Sequence, residues 1–362
     1  MKIIINQNKL QSAVRAAERV VAKNISLPIL NTILLKVEGS KVVCTATNLE
    51  IGIHHWLGAK VEEPGVLAIP AKIFSDFIST VQDEVITLTS EKNNLLIASE
   101  RYQTKILCMG PEEFPIIPTL RNTSEFTLSN EQLKTAIAGV LDATSLLETR
   151  PELTGVYTRV TAKDVTFAAT DSFRLSEYIV KTNTGADTSF IIPRTTALEM
   201  MRLAAEHQEP MKIAVSENQI SMRGESFELV SRLIDGRYPE YKKVIPDKFT
   251  AKITINKQEL DRTVRMAGIF SSSISDLLLK VSNGTLQLIA KNSDRGEIAA
   301  SVPATGVKSP FDASVNYRYL LDGLKVLPTE NIVIGYSGQG SPLTLQGEGN
   351  DNQVYVIMPL RT

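Results

Sequence analysis

The chain has 362 residues, more than one ordinary core takes up, and suits two or three domains. Hydrophobic residues make up 43% and charged residues 22%, which excludes a disordered or low-complexity chain. The net charge of −1 excludes a protein that grips nucleic acid by bulk charge, so the placement of basic residues matters more than their sum.

The opening Lys2-Ile3-Ile4-Ile5 run reads as a strand, followed by Asn6 as an N-cap and a helix with Leu10, Ala13, Val14, Ala17, Val20 and Val21 on one face. Asn8, Ser12, Arg15, Arg19 and Lys23 lie on the other face. Alternating runs over 32–37, 42–46 and 51–56 then read as antiparallel strands with one buried face. A second helix should follow Leu67-Ala68-Ile69-Pro70, with Phe74, Phe77 and Ile78 inward. No basic leader with a cleavage site opens the chain, and no apolar run approaches 18 residues, so a cytoplasmic protein is expected. Cys44 and Cys108 sit in apolar β-like runs without paired spacing and read as reduced thiols.

The same grammar returns twice. Phe126-Thr127-Leu128, Ser129 with Gln132 at the capping-box position, and apolar Leu133, Ile137 and Val140 form the second copy, with Glu131, Thr135 and Asp142 on its polar face. Its second helix follows Phe190-Ile191-Ile192-Pro193 and turns Ala197, Met200 and Met201 inward. Ile253-Thr254-Ile255, Asn256 with Glu259, and Leu260, Val264 and Ala267 open the third copy, whose second helix is expected near 319–326. Ala46-Thr47-Asn48-Leu49-Glu50 and Lys291-Asn292-Ser293-Asp294-Arg295 echo the central Ala169-Thr170-Asp171-Ser172-Phe173-Arg174-Leu175. A period of that size is a domain, so the expected domains are 1–122, 123–247 and 248–362, each a doubled strand-helix-strands unit of α+β class. Short proline-bearing linkers join them.

The familiar catalytic patterns are missing from the sequence. There is no phosphate-cradling Gly-rich loop and no Gly-x-Ser-x-Gly elbow. Adjacent His54 and His55 must face opposite sides of a strand, and His207 is the one other histidine, so neither a metal site nor a cofactor is expected. A DNA-processing enzyme with a nonlocal site, or a monomeric peptide-binding scaffold, remain the alternative readings.

Three segments carry a specific likeness: the central 169–175 turn, Asp235-Gly236-Arg237-Tyr238-Pro239-Glu240-Tyr241, and Tyr355-Val356-Ile357-Met358-Pro359-Leu360-Arg361. Together with Ser26-Leu27-Pro28-Ile29-Leu30-Asn31 and Phe114-Pro115, they make the whole chain resemble the bacterial sliding clamp, the β subunit of DNA polymerase III. The resemblance implies a non-catalytic processivity factor, a head-to-tail homodimeric ring around duplex DNA with helices inside and antiparallel sheets outside. Twelve helices about 10 Å apart make a ring roughly 38 Å across, leaving a hole of roughly 28 Å for a hydrated duplex.

For DNA, the basic helix faces and the resemblance point to Arg15, Arg19, Lys23, Asn24, Arg262, Arg265, Arg318 and Lys325. The resemblance also implies a pocket for short Gln- and Leu/Phe-containing peptides of the replicative polymerase, clamp loader and repair proteins. Its expected residues are Arg150, Leu153, Thr170, Phe173, Arg174, Leu175, Pro239, Lys243, Val244, Tyr319, Val356, Ile357, Met358, Pro359, Leu360 and Arg361, where Phe173 stands in place of a frequent histidine and Lys243 of a common arginine. At the dimer interface, Ile269 and Phe270 are expected to pack against the partner, with Thr104, Lys105, Ile106 and Leu107 pairing to its third-copy edge.

Overall fold

Asparagine ends a short strand and starts a helix at three places, because its side chain can accept the backbone N–H groups that the first helical turn leaves unpaired. Asn6 accepts from Lys9 N–H at 3.3 Å, Asn256 from Glu259 N–H at 3.1 Å and Asn316 from Arg318 N–H at 2.9 Å. In this computed structural model, which describes residues 1–22, 27–307 and 309–360, the caps start α1 (Gln7–Val20), α5 (Lys257–Gly268) and α6 (Tyr317–Val326). The intervening helices are α2 (Ala71–Thr80), α3 (Asn130–Val140) and α4 (Arg194–Glu206). The last helix begins two residues earlier than its apolar pattern suggests, because the Asn316 cap sets its start.

The chain forms two compact units, Met1–Asn130 with Arg202–Leu233, and Glu131–Met201 with Ile234–Thr362. In the first, a five-stranded antiparallel sheet runs in the order Lys60–Glu63, Lys2–Asn6, Val85–Glu91, Asn94–Ala98, Gln103–Leu107. Its second sheet has eight strands and joins distant stretches of sequence, since Phe227–Arg232 pairs antiparallel with Ile51–Gly58, placing Ser231 opposite Ile51 and Val230 opposite Gly52. The second unit repeats this plan. Its eight-stranded sheet joins Arg174–Lys181 to Gln353–Ile357, with Arg174 opposite Ile357 and Leu175 opposite Val356, and its smaller sheet has four strands.

Apolar helix faces close the cores. Leu10, Ala13, Val14, Ala17 and Val20 of α1 are buried, as are Leu260, Val264 and Ala267 of α5 among the strand residues of the second unit. Val21 instead caps α1 and is half-buried, Phe77 is half-buried, and Asp142 lies in a 3-10 turn after α3 rather than on the helix itself. Cys44 is buried within a strand, which pushes its thiol pKa up to about 12, whereas Cys108 lies just past a strand end, half-buried, its pKa raised to about 11 by that burial.

Candidate functional site

The central turn is locked by its own side chains. Thr170 Oγ1 donates to the Arg174 carbonyl at 2.6 Å and accepts from Ser172 N–H at 3.1 Å, while Asp171 Oδ1 accepts from Phe173 N–H and Arg174 N–H at 2.9 and 3.0 Å. These bonds hold Ser172 in the left-handed region, at φ 78°. The turn feeds the strand that pairs with the chain's last strand, and Met358 N–H then donates to the Phe173 carbonyl at 2.8 Å. Leu360 N–H donates to Ser314 at 2.7 Å, so the terminal Met-Pro-Leu segment is tied down and half-buried.

A cleft of about 240 Å³ opens between this turn, the 3-10 turn Pro151–Leu153, the 3-10 turn Tyr241–Val244 and the end of the last strand, all within the second unit. It brings together nine of the residues expected from sequence: Arg150, Leu153, Thr170, Arg174, Leu175, Pro239, Val244, Val356 and Met358. Ser172, Glu240 and Tyr241 line it as well. All three fall inside the two motifs already quoted, so motif membership was the available signal and only the side-chain direction was lacking. Of the remaining expectations, Ile357 is core, Phe173 is exposed, Lys243 pairs with Glu240, and Pro359 and Leu360 follow the strand end. Arg361, with Lys23 and Asn24 of the DNA set, lies outside the described residues.

Arg174 is the fixed cation of the cleft. Its Nε donates to Asp171 Oδ2 at 2.9 Å, its Nη1 to Asp322 of α6, and its guanidinium lies 4.7 Å from the centre of the Tyr319 ring. Two carboxylates and one ring leave the planar group a single orientation. The floor is backed by Tyr157, which stacks on Tyr238 at 4.8 Å and meets Tyr241 edge-on at 6.0 Å. Tyr241 donates its hydroxyl to buried Glu177 at 2.5 Å, and burial followed by that negative charge raises its pKa, so it stays a neutral donor. An apolar floor with one oriented cation suits recognition of a peptide, and among the described residues no group of His, Cys, Asp and Glu is placed to hold a metal ion.

The basic residues expected at DNA are partly paired. Arg19 binds Glu206 through two contacts of 3.0 and 3.2 Å, Arg265 binds Asp261 at 2.7 and 3.0 Å, and Lys325 binds Asp142 at 2.9 Å. Arg15, Arg262 and Arg318 are exposed. At the expected interface, Gln103–Leu107 is an edge strand in which Ile106 is buried and Leu107 is 75% exposed, with Thr104 half-buried and Lys105 exposed. Ile269 is 60% exposed, whereas Phe270 packs against its own core.

Three family models match in succession: the N-terminal domain of the DNA polymerase III beta subunit over residues 1–118, its central domain over 127–240 and its C-terminal domain over 242–361. The chain belongs to the DNA polymerase III beta subunit family. It is built of three clamp domains and is a sliding-clamp processivity factor, not an enzyme. Similar proteins include the beta sliding clamp of Synechococcus elongatus, 29% identical with 100% of this chain and 99% of the relative covered, and that of Staphylococcus aureus, 24% identical with 100% of both covered. A beta subunit structure from Thermotoga maritima shares the fold at TM-score 0.96 and 22% identity, over 100% of this chain and 99% of that one. A Pseudomonas aeruginosa sliding clamp bound to griselimycin matches at TM-score 0.96 and 25% identity, covering both chains fully.

Proposed function

We propose that two chains join head to tail into a ring that encircles duplex DNA, and that the cleft around Arg174 tethers the replicative polymerase, the clamp loader and repair proteins by short extended peptides. The domains of this reading are 1–122, 123–247 and 248–362, in keeping with the three successive family matches. The ring works in the cytoplasm, consistent with the lack of a helix long and apolar enough to cross a membrane among the described residues. The observation that carries the tether is the tied-down Met358 beside an apolar floor and an Arg174 held by two carboxylates. Methionine fits a site that accepts several partners, because its unbranched side chain repacks readily.

Replacing Met358 and Leu360 by alanine should weaken binding of a Gln-, Leu- and Phe-containing peptide, with each truncation costing about 1.5 to 3 kcal/mol at most. Calorimetric titration checks this, alongside the mass of the variant in solution. Undiminished affinity would move the tether elsewhere.

A further inference from the structure

The turn at the cleft has a structural twin in the first unit. Thr47 Oγ1 donates to the Ile51 carbonyl at 3.0 Å and accepts from Leu49 N–H at 3.1 Å, and Asn48 Oδ1 accepts from Glu50 N–H and Ile51 N–H at 3.0 and 2.9 Å. Arg232 N–H donates to the Glu50 carbonyl at 2.9 Å, as Met358 N–H does to Phe173. Leu49 stands at φ 76°, matching Ser172 at 78°. The 3-10 turn Pro28–Asn31 matches Pro151–Leu153, with Leu30 N–H bonded to the Leu27 carbonyl at 3.0 Å as Leu153 N–H is to Arg150 at the same distance. Phe114 packs against the small cluster of Ile29, Leu30 and Ala68, as Tyr238 shares a cluster with Leu153, and the Phe-Pro and Tyr-Pro pairs then align Phe114-Pro115-Ile116-Ile117 with Tyr238-Pro239-Glu240-Tyr241.

The chemistry of the twin differs in one consistent direction. Arg150, Ser172 and Glu240 line the cleft of the second unit, and their counterparts are Leu27, Leu49 and Ile116, exposed by 48%, 51% and 93%. The counterpart of Arg174 is Ile51, which is buried. Leu49 is the sharpest of these. A leucine in the left-handed region is strained, and half of its surface stays exposed, so burial within the isolated chain offsets little of that strain. Ile117 lies against Gly52, where a Cβ would come within 2.6 Å of its Cδ1, so Ile117 packs directly on the backbone beside this turn, and the three aliphatic side chains are termed a ledge. A ledge that has exchanged a polar rim and a fixed cation for three aliphatic side chains suits an uncharged, leucine-rich extended segment.

We propose that Leu27, Leu49 and Ile116 form a second peptide-docking ledge on each chain, for an extended aliphatic segment. The occupant is inferred from the twin cleft, so this inference rests on the peptide-binding reading of that cleft. The test titrates the full-length protein with the octapeptide Gly-Ser-Leu-Ala-Leu-Leu-Ser-Gly, following stoichiometry by calorimetry and the methyl NMR signals of Leu27, Leu49 and Ile116. The rim variant L49S/I116E gives the ledge the residues of the cleft, and Ser172 shows that serine holds the same backbone conformation. Wild type should bind at the ledge, with all three methyl signals shifting, L49S/I116E should lose at least tenfold in affinity there, and M358A/L360A should leave the ledge unchanged. Unshifted ledge signals, with binding lost only in M358A/L360A, would overturn the ledge and leave the cleft standing. Ledge binding with no response to M358A/L360A from any peptide would uphold the ledge and remove the peptide role of the cleft. No binding of the octapeptide, while the Gln-, Leu- and Phe-containing peptide still binds, would also overturn the ledge.

Discussion

At the residue scale, Arg174 and His55 illustrate two ways of keeping an ionisable group inside a fold. Arg174 keeps its charge because Asp171 and Asp322 share its donors, so the desolvation that burial imposes is offset by direct pairing. His55 gives its charge up: burial, with the charges of His207, Arg19 and His54 adding, pushes its pKa down to about 3. Its ring lies 5.8 Å from that of Phe227, and its buried Nε2 has no hydrogen-bond partner among the described residues. An unfolded histidine titrates near about 6.5, so below that value the unfolded chain binds the extra proton first. The contribution of a neutral His55 is therefore complete above about pH 6.5 and is lost as pH falls toward its folded pKa, at about 1.4 kcal/mol per unit. His55→Leu should flatten this slope, so urea unfolding at pH 7 and at pH 5 should separate the variant from wild type by about 2 kcal/mol in their acid losses. Equal acid losses would mean that His55 does not titrate between the two states.

At the element scale, helices and strands were largely legible, because capping side chains and apolar periodicity are local signals. Asn6 and Asn256 cap where their spacing indicates, and the alternating runs at 32–37, 42–46 and 51–56 lie within strands. Pairing across the sequence was not legible. Nothing local tells Phe227–Arg232 to extend the sheet of Ile51–Gly58, so the middle third of the sequence contributes to both compact units. The cleft was legible as a list of motif residues, but the Tyr241 bond to Glu177 and the Asp322 support of Arg174 join residues 64 and 148 positions apart. The same limit applies to the basic helix faces, where carboxylate partners for Arg19, Arg265 and Lys325 arrive from tertiary structure or from the next helical turn. The exposed edge Gln103–Leu107 makes a prediction of its own, since unpaired strand edges favour association. Leu107→Glu with Ile269→Glu alters two exposed side chains and spares Phe270, which serves its own core. Sedimentation should show the single-chain mass for this variant and twice that for wild type. A variant that remains a dimer would place the interface elsewhere.

At the scale of the whole molecule, the weak charge fits the proposed retention on DNA only if that retention is topological. A net charge of −1 and the pairing of Arg19, Arg265 and Lys325 with carboxylates leave Arg15, Arg262 and Arg318, among the described residues expected at DNA, exposed toward phosphates, which is a weak grip. A protein that must slide gains from this, because each tight phosphate contact would have to break at every step. In the proposed reading the tether can then be specific while the passage of DNA stays loose, with the cleft supplying the first and the ring the second. The most direct test loads the protein on closed circular DNA with an active clamp loader, then compares retention at moderate salt before and after the circle is cut once. The account predicts persistence on the closed circle and rapid loss from the linear molecule; equal loss from both would contradict a topological link.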